Sequence, residues 1–173
     1  MKLFWTAIIA STAAVSVSLA ADQPVHLAGR GAKIPNSTGY FNVEDSDKTM
    51  KRAVDQAQRS LGFFIAALKA NKPDDSEFAI KKGFTDGDNV EHLWINELRW
   101  DGKNFHGKID NRPVDVRNVW LGEPVIVAPE DVSDWMFVKD NTLMGGYTTR
   151  VLYQRLNSEE KARFDNQVRF KIQ

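Results

Sequence analysis

Residues 90–109 read VEHLWINELRWDGKNFHGKI, and the alternation in that string decides the fold. His92, Trp94, Asn96, Leu98 and Trp100 fall on one face of an extended chain, and Glu91, Leu93, Ile95, Glu97 and Arg99 on the other, because side chains along a strand point alternately to opposite faces. Large apolar groups occupy the middle of both faces. The pattern therefore predicts a strand buried on two sides and central in its sheet. Asp101-Gly102 supplies two positions that tolerate positive φ, which predicts a hairpin. The chain then returns as Asn104 to Ile109, antiparallel to the strand before it.

On the N-terminal side, Phe78, Ile80 and Phe84 frame an earlier strand, joined through the turn Asp86-Gly87-Asp88-Asn89. Further back the period changes. Met50, Val54, Ala57, Leu61, Phe64, Ile65 and Leu68 recur at spacings of three and four, the stripe of a helix with one buried face. Lys51, Arg52, Asp55, Gln58 and Arg59 fall on its solvent side. The acidic cluster Glu44-Asp45-Ser46-Asp47 suits its N-terminus, where carboxylates satisfy free amides and complement the dipole. The helix ends near Asn71, with Pro73 blocking continuation.

On the C-terminal side, Asn111 to Glu123 reads as an irregular connection, followed by the apolar run Pro124 to Ala128 and a strand around Asp134 to Val138. Asn141 to Gly146 reads as a turn, Thr148 to Tyr153 as a closing strand, and Asn157-Ser158-Glu159-Glu160 as a capping box opening a last helix. The fold class is α+β: an antiparallel β-sheet packed by an N-terminal amphipathic helix and a short C-terminal helix.

Three segments follow along the chain. Residues 1–20 have the form of a signal peptide: Lys2 gives a positive start, Leu3 to Val17 carries no charge, and Ser18-Leu19-Ala20 offers the small-x-small cleavage pattern. A membrane anchor needs about 20 predominantly apolar residues, whereas Thr6, Ser11, Thr12 and Ser16 interrupt this run. Residues 21–44, rich in Gly, Pro and polar side chains, read as an extended N-terminal arm whose Tyr40-Phe41 pair is suited to docking on the domain. Residues 45–173 form a single α+β domain. Export through a cleavable signal places the mature chain in the periplasm, without a membrane anchor after cleavage, and is compatible with secretion beyond the envelope. With no cysteine, neither lipid attachment nor disulfides enter.

The 23 basic and 23 acidic side chains balance. Nucleic-acid binders carry a basic excess, because phosphate contacts supply most of their affinity, so no nucleic-acid partner is expected. The three histidines, His26, His92 and His106, show no short ligand spacing, so no metal is expected. Phosphate-loop, dinucleotide and G-x-S-x-G motifs are missing, and no cofactor is expected. The serines, Ser133 among them, have no local catalytic context. Glu91 and His92 are neighbours on one strand and cannot work as a base and its orienter. No catalytic residue is identified, and the reading leans away from an enzyme. Trp94, Trp100, Phe105, Trp120, Trp135 and Phe137 crowd the β region; most are core, with one or two expected at the surface.

The helix from Met50 to Phe64, Phe78-Ala79-Ile80-Lys81, Glu91-His92-Leu93-Trp94, the hairpin through Gly102 to Gly107, Asp134-Trp135-Met136 and Gly145-Gly146-Tyr147-Thr148-Thr149-Arg150 together resemble the YegJ-like bacterial family, the domain of unknown function 2314. The resemblance covers most of Asp47 to Phe164. It implies an α+β domain and supplies no catalytic residues. The positions that define it give binding candidates at Lys81, Glu91, His92, Trp94, Asp134, Trp135 and Arg150. Arg150, read as a strand arginine beside a glycine turn, is expected to pair with Asp134 or Glu91 in preference to binding an anion.

The function expected is a non-enzymatic periplasmic binding or interaction domain, engaging a protein or envelope component through an aromatic and polar sheet face, in an unknown oligomeric state. A hydrolase-type enzyme built around His92 or Glu91 with Asp134 and Arg150 is the alternative class. An immunity protein against a periplasmic toxin is a further case of binding.

Overall fold

The structure, a computed structural model, describes residues 48–173. The expected signal peptide, the expected arm and the acidic cluster before the first helix lie outside the described residues. The helical stripe forms α1, Lys48–Ala70, which buries Ala53, Ala57, Leu61 and Phe64. The two alternating strands are β1, Asp75–Asp86, and β2, Asn89–Trp100. The return strand is β3, Phe105–Ile109, and the apolar run is β4, Pro124–Val127. A 3-10 turn at Pro129–Asp131 leads into β5, Val132–Lys139. The six strands form one antiparallel sheet in the order β4-β3-β2-β1-β5-β6, so β2 is interior as its two-sided apolar pattern required.

The sixth strand, β6, Thr142–Gly145, lies where the sequence suggested only a turn. The turn itself is confined to Asp140 and Asn141, both at positive φ. The expected closing strand at Thr148 to Tyr153 is instead a helix, α2, Tyr147–Arg155. Thr148, Thr149 and Val151 are β-branched and locally favour a strand. Burial overrides that preference: Thr148 and Leu152, four residues apart, point inward together, and Leu156 just past the helix end is buried as well. The last helix, α3, Ser158–Gln167, has the expected capping box between Asn157 and Glu160. The sheet thus carries two short C-terminal helices.

Two apolar layers sandwich the sheet. On one face Ala57, Leu61 and Phe64 of α1 pack on Ile80, Ile95, Phe105, Trp135 and Phe137. On the other, Leu152, Leu156 and Phe164 pack on Ala79, Trp94, Met136 and Val138. A smaller cluster of Leu93, Ile109 and Val116 seats the 110–123 connection. Gln58, placed by periodicity on the solvent side of α1, instead donates its side-chain amide to the Pro129 and Val132 carbonyls, tying the helix to the start of β5.

The two outer strands end differently. At β6 the amide of Leu143 donates to the Lys171 carbonyl at 3.0 Å, and its own carbonyl accepts from Arg150 at 2.7 Å, so the C-terminal segment closes that edge. β4 has β3 on one side and, among the described residues, no strand on the other.

Candidate functional site

Cross-strand register aligns three of the sequence candidates. Lys81 lies between Trp94 of β2 and Asp134 of β5, and the Asp110 amide, one residue past the end of β3, donates to the Trp94 carbonyl at 2.8 Å. Ile80 packs under α1, so this row occupies the opposite face. Asp134 is fully buried and Lys81 nearly so. The Lys81 ammonium donates to Thr148 Oγ1 at 2.7 Å and sits 4.4 Å from the centre of the Trp94 ring. Thr148 Oγ1 in turn donates to Asp134 Oδ2 at 2.5 Å. The same carboxylate accepts from the amides of Trp135 at 2.9 Å, Tyr147 at 3.0 Å and Thr148 at 2.9 Å.

Four donors on one carboxyl are the partners an acceptor-only carboxylate needs. Two of them are the first amides of α2, whose own N-cap is Gly146, a residue with no side chain to offer. Asp134 therefore caps the helix from another strand, and its charge meets the positive end of the helix dipole. Burial pushes the Asp134 carboxyl up, against the pull of Lys81 and of the hydrogen bonds from Thr148 and Trp135. Burial likewise pushes Lys81 down to about 8, with Asp134 opposing.

One turn of the sheet away, His92 is half-buried over Gly83 and its Nδ1 lies 2.8 Å from Ser133 Oγ. Ser133 occupies a β-bulge: Lys81 pairs with Asp134 but Lys82 pairs with Val132, leaving Ser133 the extra residue. Its hydroxyl also reaches the Lys81 carbonyl at 3.2 Å. Burial first, and the charge of Lys81 second, lower His92 to about 4, so the imidazole is neutral near pH 7. Sequence reading set Ser133 aside because its partner is 41 residues distant. Pairing across two strand registers is not written in either segment alone.

Glu91, Trp135 and Arg150 go elsewhere. Glu91 is buried on the opposite face, where it accepts from the amides of Val114, Asp115 and Val116. Trp135 lies in the core beneath α1 and donates its indole N–H to the Ala57 carbonyl at 3.0 Å. Arg150 stands on α2, not on a strand, and its guanidinium donates to the carbonyls of Gly145, Leu143 and Gln173. The expected ion pair with Asp134 or Glu91 is replaced by these three contacts, because both carboxylates are already filled by amide and hydroxyl donors.

The exposed apolar groups lie elsewhere again. Among the described residues five large apolar side chains are exposed, Phe63, Val114, Trp120, Leu121 and Ile126, and all but Phe63 fall between residues 114 and 126. The connection carrying them is fastened at several points: Glu91 holds residues 114–116, Asp86 accepts from the Arg117 amide at 2.9 Å, and Asn118 donates to the Thr85 carbonyl at 2.8 Å. Gly122, at φ +83, then donates to the Ile109 carbonyl while the Ile109 amide donates to Glu123, a glycine bulge that feeds the chain into β4. Trp120 is 63% exposed, held out by a braced loop and not by disorder of its own backbone. Among the described residues no group of three His, Asp or Glu side chains is placed to hold a metal ion, and no helix is long and apolar enough to cross a membrane.

Residues 47–172 match the family described as an uncharacterized protein conserved in bacteria, DUF2314. The chain is 33% identical over 131 residues to the uncharacterized protein YegJ of Escherichia coli K12, covering 72% of this chain and 84% of that protein. It is 32% identical over 133 residues to a protein of Neisseria meningitidis serogroup B named for ankyrin repeats, again over 72% of this chain but 53% of that protein. The chain thus spans about half the length of the Neisseria relative. No solved structure matches it.

Proposed function

The chain belongs to the DUF2314 family of uncharacterized proteins conserved in bacteria, and from that premise we propose that it is a non-enzymatic, exported binding domain that presents the braced loop of Val114, Trp120 and Leu121 to a protein partner in the periplasm. The observation that carries the reading is that, among the described residues, three of the five exposed large apolar side chains, Val114, Trp120 and Leu121, lie on this one connection. Clustered exposed apolar groups mark interaction sites, and a tryptophan among them is the side chain most often found to dominate binding energy. A loop already fixed by Glu91, Asp86 and Thr85 pays little ordering entropy on contact.

The buried row supports the same reading from the other side. Lys81, Trp94, Thr148 and Asp134 contact one another away from solvent, which is how a fold is locked and keeps the row out of a ligand's reach. A hydrolase around His92, Asp134 and Arg150 finds less support, since Arg150 is spent on three carbonyls and Asp134 on four donors. The Neisseria relative adds context: ankyrin repeats stack into extended binding surfaces, and a domain that accompanies them fits a role in recognition. A toxin neutralised by binding is one such partner, which is the immunity reading.

The test is affinity capture from periplasmic extract with the protein purified from cells expressing the full chain. A partner retained by the wild type and by His92→Gln, but weakened at least about 30-fold by Trp120→Ala (roughly 2 kcal/mol), supports the proposal. Equal retention by Trp120→Ala sinks it. N-terminal sequencing of the protein recovered by osmotic shock tests export, with Ala21 the expected first residue.

A further inference from the structure

We propose that β4 pairs with the β4 of a second copy of this chain, antiparallel across a two-fold axis centred on Ile126. The argument rests on which backbone groups of β4 face outward. The Ile109 amide donates to Glu123, and the register runs on through Gly107 opposite Val125 and Phe105 opposite Val127. In an antiparallel ladder hydrogen-bonded and non-hydrogen-bonded pairs alternate. Glu123, Val125 and Val127 therefore turn their amides and carbonyls toward β3, and Pro124, Ile126 and Ala128 turn theirs away from the sheet.

That outer row is complementary to itself. Ile126 offers one N–H and one C=O, which two copies exchange directly when Ile126 faces Ile126. Two residues along, Ala128 of one copy then faces Pro124 of the other. Ala128 offers an N–H, and its carbonyl is already occupied by the Asp131 amide at 3.0 Å. Pro124 offers a carbonyl and has no N–H. The donor of one copy therefore meets the acceptor of the other, and the two groups that would have been orphaned are absent or already paired. A proline in an edge strand ordinarily blocks pairing; here it stands at the position where the second copy presents no acceptor.

Side chains and topology agree. Ile126, 62% exposed, would be covered by its own symmetry mate on the same sheet face. The opposite edge, β6, is closed by the C-terminal segment, so pairing ends at two copies instead of continuing as a filament. The pairing uses Ile126 and leaves Trp120 and Leu121 to the partner proposed above, so the two proposals fail separately.

The test is mass in solution by sedimentation equilibrium, across a concentration series, with the protein purified from cells expressing the full chain. The expected result is twice the mass of one chain for wild type and for Trp120→Ala, and loss of dimer in Ile126→Lys. Ala128→Pro removes only the outward donor. Ala128 already has φ −73° and follows an extended residue, so proline fits without strain, and dimer dissociation is expected to rise at least tenfold. Unchanged circular dichroism in both variants shows that they fold. A wild type of single-chain mass at every concentration overturns the proposal. So does a dimer that Ile126→Lys and Ala128→Pro leave intact, which would place the interface elsewhere, or a β4 edge that is bound only by another protein's strand.

Discussion

Asp134 Oδ2 accepts both the backbone amide and the hydroxyl of Thr148, at 2.9 and 2.5 Å, so one carboxylate on β5 starts a helix that follows it by 13 residues. Replacing one acceptor oxygen by an N–H₂ group leaves one of the two α2 amides, Tyr147 or Thr148, without its acceptor and Lys81 with an unbalanced buried ammonium. Asp134→Asn is expected to destabilise the fold by about 3 kcal/mol, read as a lower urea midpoint at unchanged slope. Adding Lys81→Met is expected to restore part of that loss, since the second substitution removes the stranded charge. A double variant no more stable than the single would show that the two residues are not coupled.

How much of this was legible in the sequence differs by element. The three-and-four spacing from Met50 to Leu68 gave α1 and the alternation from Val90 to Trp100 gave β2, because each pattern is local and each period belongs to one element. Helix α2 was not legible: Thr148, Thr149 and Val151 favour a strand, and the cap that overrides them belongs to Asp134 on another strand. The contacts of Gln58 and Ser133 were not legible for the same reason, since their partners lie 71 and 41 residues away. The family resemblance picked out Lys81, Trp94 and Asp134 among seven binding candidates. It could not say that they face inward, whereas Trp120, alike in composition, faces out.

His92 contributes a loss of stability on acidification between about pH 6.5 and pH 4. Its folded value is lowered to about 4 from an ordinary 6.5 by burial and by Lys81. In that window the unfolded chain binds the proton and the native one does not, so ΔG of unfolding rises with pH there and is lost as pH falls. The gap corresponds to about 3 kcal/mol as an upper figure. The stability of wild type relative to His92→Gln should therefore fall as pH drops across the window, read from urea midpoints of both; parallel curves would remove His92 from the account.

Lys81 acts in the alkaline range with the same sign. Lowered to about 8 from 10.5, it is neutral in the native state while still charged in the unfolded one, so stability is gained as pH rises from about 8 to 10.5. Below pH 8 both states carry the charge and its burial cost is present in full. Comparing urea midpoints of wild type and Lys81→Met at pH 7 and pH 10 isolates this contribution, and the difference between the two proteins should shift toward wild type by up to about 3 kcal/mol.

Asp110 has the opposite sign. Burial first, and Glu97 second, raise it from 3.8 to about 7. Between those values the native state holds a proton that the unfolded state has released, so stability contributed by the protonated form is lost as pH rises through 7. Asp110→Asn, which mimics the protonated carboxyl, should be more stable than wild type at pH 8 and close to it at pH 4. A variant less stable than wild type at pH 8 would mean that the ionised carboxylate has a favourable partner.

Glu91 connects the interior to the proposed contact surface. Its buried carboxylate holds the amides of Val114, Asp115 and Val116, and the residues that follow carry Trp120 and Leu121 into solvent. Glu91→Gln keeps the shape but replaces one acceptor oxygen by an N–H₂ group that faces donors, so two or three amides lose their partner at once. The expected cost is about 2 kcal/mol, concentrated locally: amide exchange at 114–116 should accelerate while that of β2 and β5 changes little. If the braced loop is what presents Trp120, the same variant should also weaken partner capture although Glu91 touches no partner, through the entropy of ordering a loosened loop. Faster exchange at 114–116 with undiminished capture would separate the two, leaving Glu91 a purely structural clamp and moving the contact surface away from this loop.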